Sequence, residues 1–429
     1  MENGILLVVT RLIFELFVIL AVARIFAELT ERYLKQPGVL GELVGGILIG
    51  PYALGAFIVI PYLGPLFSLP AETGSLVPVS NELYALAQIS SVILLFYVGL
   101  ETNLGLFMRY AGPSAAVAAG GLAIPFFLGN YATYLFGFAD SPLHPTALFM
   151  GAVLAATSVG ITARVLADIG KLDTPEGVTI LASAVIDDVI GILVLAMVVS
   201  MARGGDFSLS SLGIIGLKAV GFWVGLMAVG ILSAKKIAQF MKLFKSPGAS
   251  ATLALALAFL AAGLAELFGL AMIIGAYAMG LSLSRSEIAE EVLEGLRGVY
   301  QVFVPVFFVV MGMMVDLRAI WGALTFGLII TGLAILGKGA GCFGSALTVG
   351  FNRVGATRIG IGMVPRGEVA LIIAGVGLTA GAIQTFEYGV AVLMTFITTL
   401  MTPVLLLPAF SRGGSGVRQR VNRLTASSE

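Results

Sequence analysis

The sequence points to an all-α polytopic membrane protein, with about 13 transmembrane helices in inverted-topology repeats and two of them discontinuous. Three observations carry this. The 429 residues are 59% hydrophobic and only 11% charged, where a soluble chain carries about 25% charged residues. Apolar runs long enough to cross a bilayer recur along the whole chain. Two pairs of glycine-marked segments repeat in the same order in both halves.

Spans are expected at about 4–31, 37–57, 82–107, 112–137, 145–168, 175–202, 211–239, 249–267, 269–284, 298–316, 319–350, 357–380 and 385–410. The first lacks the basic start and small-residue cleavage site of a signal peptide, so it reads as a retained helix. The second ends where Pro51, Pro61, Pro65 and Pro70 make the chain irregular. Residues 1–410 therefore form the membrane domain and 411–429 a short tail.

Basic residues set the orientation. With the tail in the cytoplasm, Arg32, Lys35, Arg109, Lys171, Lys235, Lys236, Lys242, Lys245, Arg285, Arg297, Arg353, Arg358, Arg412, Arg418, Arg420 and Arg423 all fall inside, and only Arg203 and Arg318 outside. That bias predicts an odd number of spans in the cell (inner) membrane, the N-terminus outside and the C-terminus cytoplasmic.

The repeat is short but ordered. Leu94–Leu104 (LLFYVGLETNL) matches Phe307–Leu317 (FFVVMGMMVDL), aligning Gly99 with Gly312. One span earlier, Gly45–Gly50 (GGILIG) matches Gly275–Gly280 (GAYAMG). The first of each pair runs opposite to the second through the membrane, so the repeats, roughly 37–202 and 249–410, are inverted. Such repeats place a polar site near mid-membrane, between broken helices.

Two spans carry breakers two spans after each half's Gly-Asn/Asp segment. One holds Thr157, Ser158, Gly160 and Thr162, the other Pro365 and Gly367. Non-helical backbone at that depth is tolerated where it lines a polar cavity, and its freed carbonyls and hydroxyls suit a hard monovalent cation.

Charged residues inside spans are the functional candidates. Asp187 and Asp188 sit side by side in an apolar stretch, each costing about 2.5 to 3.5 kcal/mol on insertion scales. On a helix they point about 100° apart, so they need not share a partner. Lys338, flanked by Gly337 and Gly339, is a candidate partner from another span. Glu368 stands in the second break and invites either a structural or a functional role. Arg164 and Arg366 are expected to form structural pairs, because arginine does not release its proton. Arg11/Glu15 and Arg24/Glu28 are spaced for intrahelical pairs. Glu42 is expected near the inner interface, and the run Glu287–Glu294 as a solvated linker.

Composition also excludes functions. Zero formal net charge offers no basic surface for nucleic acid. A single cysteine, Cys342, and a single histidine, His144, rule out a disulfide framework and make a metal cluster within one chain unexpected. No nucleophile-base pair, phosphate loop or metal-ligand spacing stands out, so a transporter rather than an enzyme is expected, without a cofactor.

Four segments together resemble the monovalent cation:proton antiporter-2 family: Ala184–Gly191 (AVIDDVIG), Thr157–Leu166 (TSVGITARVL), Gly312–Leu317 (GMMVDL) and Gly362–Val369 (GMVPRGEV). The resemblance covers nearly the whole chain. It implies a dimerisation domain beside a mobile core domain, crossed broken helices and a homodimer. Asp188 would be the carboxylate that takes cation or proton, with Thr157 and Ser158 beside the ion. Asp187 would pair with Lys338, and Glu368 would balance charge at the second break. The activity implied is exchange of a monovalent cation, Na+ or Li+, for protons. Two aspartates with this lysine imply an electrogenic cycle, and the family resemblance as a whole implies a role in pH homeostasis. Asp187 stands where potassium-efflux relatives often have glutamine, and the chain ends soon after Pro408 without their nucleotide-binding domain. The alternatives are K+/H+ exchange, a sodium-coupled organic-anion symporter, a cation channel and a non-transporting sensor.

Overall fold

A computed structural model describes residues 2–61, 63–67, 69, 78–202, 209–411 and 413–418. Pro70, Arg203, Arg412, Arg420, Arg423 and most of the tail lie outside the described residues. The helices are α1 (Glu2–Leu29), α2 (Gly38–Ile49), α3 (Asn81–Glu101), α4 (Leu104–Leu135), α5 (Pro145–Ala155), α6 (Val159–Asp168), α7 (Pro175–Ala202), α8 (Leu209–Met241), α9 (Ala249–Leu267), α10 (Met272–Leu283), α11 (Ala289–Met313), α12 (Leu317–Thr348), α13 (Arg353–Gly362), α14 (Glu368–Thr379) and α15 (Thr385–Ser411). Among the described residues, ten helical stretches are long and apolar enough to cross a membrane, with α5 and α6 counted as one, and α2, α10 and α14 are shorter apolar helices.

Three segments depart from the sequence reading. The second span is helical only to Ile49; a short 3-10 turn at Leu54–Phe57 and a hairpin pairing Val59–Ile60 with Gly64–Pro65 follow. The third and fourth spans meet closely, because Asn103 caps α4 by accepting from the backbone of Gly105 and Leu106. The acidic run is not a linker: α11 begins at Ala289, so Glu290, Glu291 and Glu294 stand exposed on its first turns. Glutamates there complement the positive helix start, while Val292 and Leu296 bury the opposite face. Only Glu287 remains in the loop, where the Lys242 ammonium beside it holds its carboxyl below the usual range.

The order of the helices fits spanning segments that alternate in direction. This gathers Arg32, Lys35, Arg109, Lys171, Lys242 and Arg353 at one end of the molecule, here the basic end, and leaves Arg318 at the far end.

The helices sort into two bundles. One joins α1, α2, α3, α9, α10 and α11; the other joins α4, α5, α7, α12, α13, α14 and α15. Between them run α6, which touches α2 and α3, and α8, which touches α7 and α10. In the first bundle, glycines set two close crossings. Gly312 of α11 lies on Leu43 O and Ile47 N of α2, and Gly99 of α3 lies on Tyr277 O and Leu281 N of α10. A Cβ at any of Gly46, Gly99, Gly280 or Gly312 would run into backbone of the opposing helix. The two crossings are equivalent under the Gly99–Gly312 match, but they equate Gly46 with Gly280. The second match is thus displaced by one helical turn from the Gly45–Gly275 pairing read in the sequence. Asn103 and Asp316 have the same job in the two halves: each caps the next helix, α4 or α12.

Candidate functional site

The two helix breaks lie against each other. In the first, Ala156, Thr157 and Ser158 leave the helix, with Ser158 in an extended conformation. In the second, residues 364–367 are non-helical. Pro365 has no N–H to donate, and it disfavours helical geometry at Val364. The backbone N–H of Ser158 donates to Pro365 O at 2.9 Å, and Thr162 Oγ1 donates to Gly362 O at 2.7 Å. Gly367 lies flush on Ser158, where a Cβ would come within 2.5 Å of Oγ. The unwound backbone is thus partly satisfied by the opposite break.

Asp187 and Asp188 lie midway along α7, 2% and 5% exposed. They face different neighbours. Asp187 Oδ2 accepts from Thr157 Oγ1 at 2.6 Å and from Lys338 Nζ at 2.9 Å. Lys338 is fully buried on α12 and also donates to Ala155 O, the last carbonyl of α5, at 2.7 Å. A cation there complements both a carboxylate and the negative end of a helix. Gly121 of α4 leaves room for the lysine stem.

Asp188 is different. Neither of its oxygens makes a hydrogen bond among the described residues. It lines a cavity of about 340 Å³, together with Tyr84, Gln88, Glu266, Met272 and Glu368. The lining comes from the far-end halves of α3 and α7, from the break-side start of α14 and from the α9–α10 turn, so this cavity belongs to the far end. Glu368 opens α14, 7% exposed, with Oε2 unpartnered at a helix start that favours negative charge. Ser158 Oγ and Asp187 Oδ1 are likewise unpartnered. Buried oxygens of this kind are few in native proteins, and each calls for an explanation. A hard cation or a proton would satisfy Asp188.

Of the residues singled out in the sequence, Asp187, Thr157 and Lys338 are in direct contact, and Asp188 and Glu368 share one cavity. Arg366 is fully buried but meets carbonyls rather than a carboxylate, donating to Met363 O at 3.3 Å and Val364 O at 2.9 Å. Arg164 lies apart, at the basic end, on Asp168 and Glu42. Arg11 pairs with Glu15 and reaches the carbonyls of Pro65 and Leu66.

Sequence reasoning missed Thr398 and Thr399. The Thr398 hydroxyl accepts from Arg366 N at 3.2 Å, and Thr399 donates to Arg366 O at 2.5 Å, pinning the second break to α15. Threonines at 395, 398, 399 and 402 mark one face of a helix, a pattern readable in advance as a polar stripe turned inward.

A family model described as "sodium/hydrogen exchanger, transmembrane" matches residues 17–411. The chain is 34% identical over 423 residues to the high-affinity Na(+)/H(+) antiporter NhaS3 of Synechocystis, covering 94% of this chain and 91% of that one. It is 35% identical over 399 residues to the Na(+)/H(+)-K(+) antiporter GerN of Bacillus cereus, covering 92% and 96%. Its fold is similar to that of the sodium proton antiporter MjNhaP1 from Methanocaldococcus jannaschii, with a TM-score of 0.66 at 20% identity over 94% of this chain and 98% of that one.

Proposed function

We propose that this chain, which belongs to the sodium/hydrogen exchanger transmembrane family, exchanges Na+ or Li+ for protons by competition at Asp188. One observation carries the assignment: Asp188 is a buried carboxylate with both oxygens unpartnered on the wall of an open cavity, whereas Asp187 beside it is already engaged. A carboxylate there can hold a cation or a proton, not both. Thr157 and Ser158 lie in the first break, where hydroxyl and carbonyl oxygens complete the shell of an alkali ion. Glu368 balances charge in the same cavity, and Arg164 and Arg366 act structurally.

The positive-inside pattern puts the basic end in the cytoplasm and the N-terminus outside, in the cell (inner) membrane. The cavity reaching Asp188 then opens outward. Transport requires the bundle holding both breaks to move against the α1–α3 and α9–α11 scaffold, so that Asp188 meets the other side. The chain works as a homodimer through its scaffold. The Lys338–Asp187 pair adds a second exchangeable proton when it breaks, so the cycle is electrogenic, moving more protons than cations. Its role is pH homeostasis.

The test is cation-induced recovery of a pH-sensitive dye in proteoliposomes. Asp188→Asn is expected to fall to the protein-free background with Na+ and Li+, and full exchange by this variant would sink the assignment. K+ belongs in the same series, since a 35% identical relative carries both Na+ and K+ in its name.

A further inference from the structure

The basic end holds a second cavity, of about 540 Å³, which does not reach Asp188. Its polar lining includes Glu42, Glu101, Arg164, Asp168, Arg297 and Tyr300. It lies where α6 passes the scaffold, and one contact spans that boundary by charge. Arg164 of α6 stands 3.7 Å from Glu42 of α2 and over the ring of Tyr300 of α11, 5.2 Å from its centroid. On its own helix the same guanidinium holds Asp168 at 3.1 Å. Closer to the breaks, Gly160 of α6 faces the side chains of Phe307 and Leu94.

Glu42 is incompletely satisfied. It is 3% exposed; among the described residues its Oε1 meets the Arg164 guanidinium at 3.7 Å and its Oε2 makes no hydrogen bond. A pair at 3.7 Å lies near the limit of a salt bridge and well beyond a charge-assisted hydrogen bond. An arginine shared between two carboxylates can give up the weaker one at small cost.

We propose that Glu42 is a second cation-accepting carboxylate, a waypoint on the basic-end side of the path for the same alkali ion. Its occupation excludes its pair with Arg164. A cation arriving from that side takes Glu42 and leaves Arg164 to Asp168. That releases the charged contact holding α6 to α2, and α6 can then withdraw from Phe307 and Leu94. Cation arrival and opening of the basic end are thereby coupled. The inference rests on the antiport reading above for the identity of the ion, but not on the assignment of Asp188.

The test is sided. Exchange is measured in membrane vesicles of both orientations, with Na+ presented to either face. Glu42→Gln is expected to raise the Na+ KM at the basic face roughly tenfold and to leave the KM at the far face unchanged, while Glu42→Asp restores it. An unchanged basic-face KM, or an equal change at both faces, overturns the proposal. A second readout separates the two sites. In Asp188→Asn, Na+ is expected to raise the thermal unfolding temperature above that in equimolar choline, and adding Glu42→Gln is expected to abolish the rise. A rise that survives in the double variant, or none in Asp188→Asn alone, overturns the Glu42 site. Full exchange by Asp188→Asn would overturn the Asp188 assignment instead, and the Glu42 comparison would still stand.

Discussion

Asp187 and Asp188 share a sequence neighbourhood and little else. A turn of about 100° per residue sends one into the Thr157–Lys338 contact and the other to the cavity wall. Lys338 answers a carboxylate and a helix end at once, so its removal strands both. Lys338→Ala is expected to cost about 3 to 5 kcal/mol of stability, the usual penalty for leaving a buried charge without its partner. Thermal unfolding in detergent should show the loss, and the double variant Asp187→Asn/Lys338→Met should recover part of it. Under the proposed mechanism, Lys338→Ala retains some exchange with altered charge coupling. An unfolding temperature equal to that of the native chain would show that the pair contributes no net stability.

Close glycine crossings and broken helices are the working elements. At the α2–α11 crossing, Gly46 presents its bare Cα to Val309 O, and Gly312 does the same to Leu43 O. Without strong hydrophobic drive between helices in lipid, such small-residue contacts hold the scaffold together. Gly46→Ala drives a methyl into backbone, which cannot rotate away as a side chain could. It is expected to cost about 1 to 3 kcal/mol by overpacking, read as a lower unfolding temperature. Gly332→Ala, at an open position of α12, should cost nothing measurable and serves as the control. The breaks gain their shape from the opposite principle. Pro365 and the Thr-Ser pair forfeit helical hydrogen bonds, and each break recovers some from the other or from α15.

At the scale of the molecule, access is one-sided. The far-end cavity includes Asp188, and the basic-end cavity stops at Arg164. Ile192 lies one turn beyond Asp188 on α7 and lines the far-end cavity. With the buried Cys342 replaced by serine, Ile192→Cys is expected to react with a membrane-impermeant thiol reagent added from the far side and to be spared from the basic side. Labelling at equal rates from both sides would contradict a cavity closed at the basic end.

The sequence by itself determined the membrane class, the apolar runs that become most of the long helices, the two breaks and the charged residues near them. Each rests on a one-dimensional signal: apolar run length, a missing N–H at proline, or a carboxylate where water is absent. The glycine repeat was legible too, and it was one turn out of register at Gly46 because short glycine motifs match at several offsets. Tertiary structure alone decided the rest. Glu42 and Arg164 are 122 residues apart; the sequence predicts a structural pair for Arg164 but names no partner for it, and only the passage of α6 along the scaffold joins the two. Arg366 found carbonyls instead of a carboxylate because the second break presents its own free backbone within reach. Which aspartate meets Lys338 and which meets the cavity depends on the rotation of α7 against α12. Helix rotation is fixed by packing across the whole bundle, and no local pattern records it.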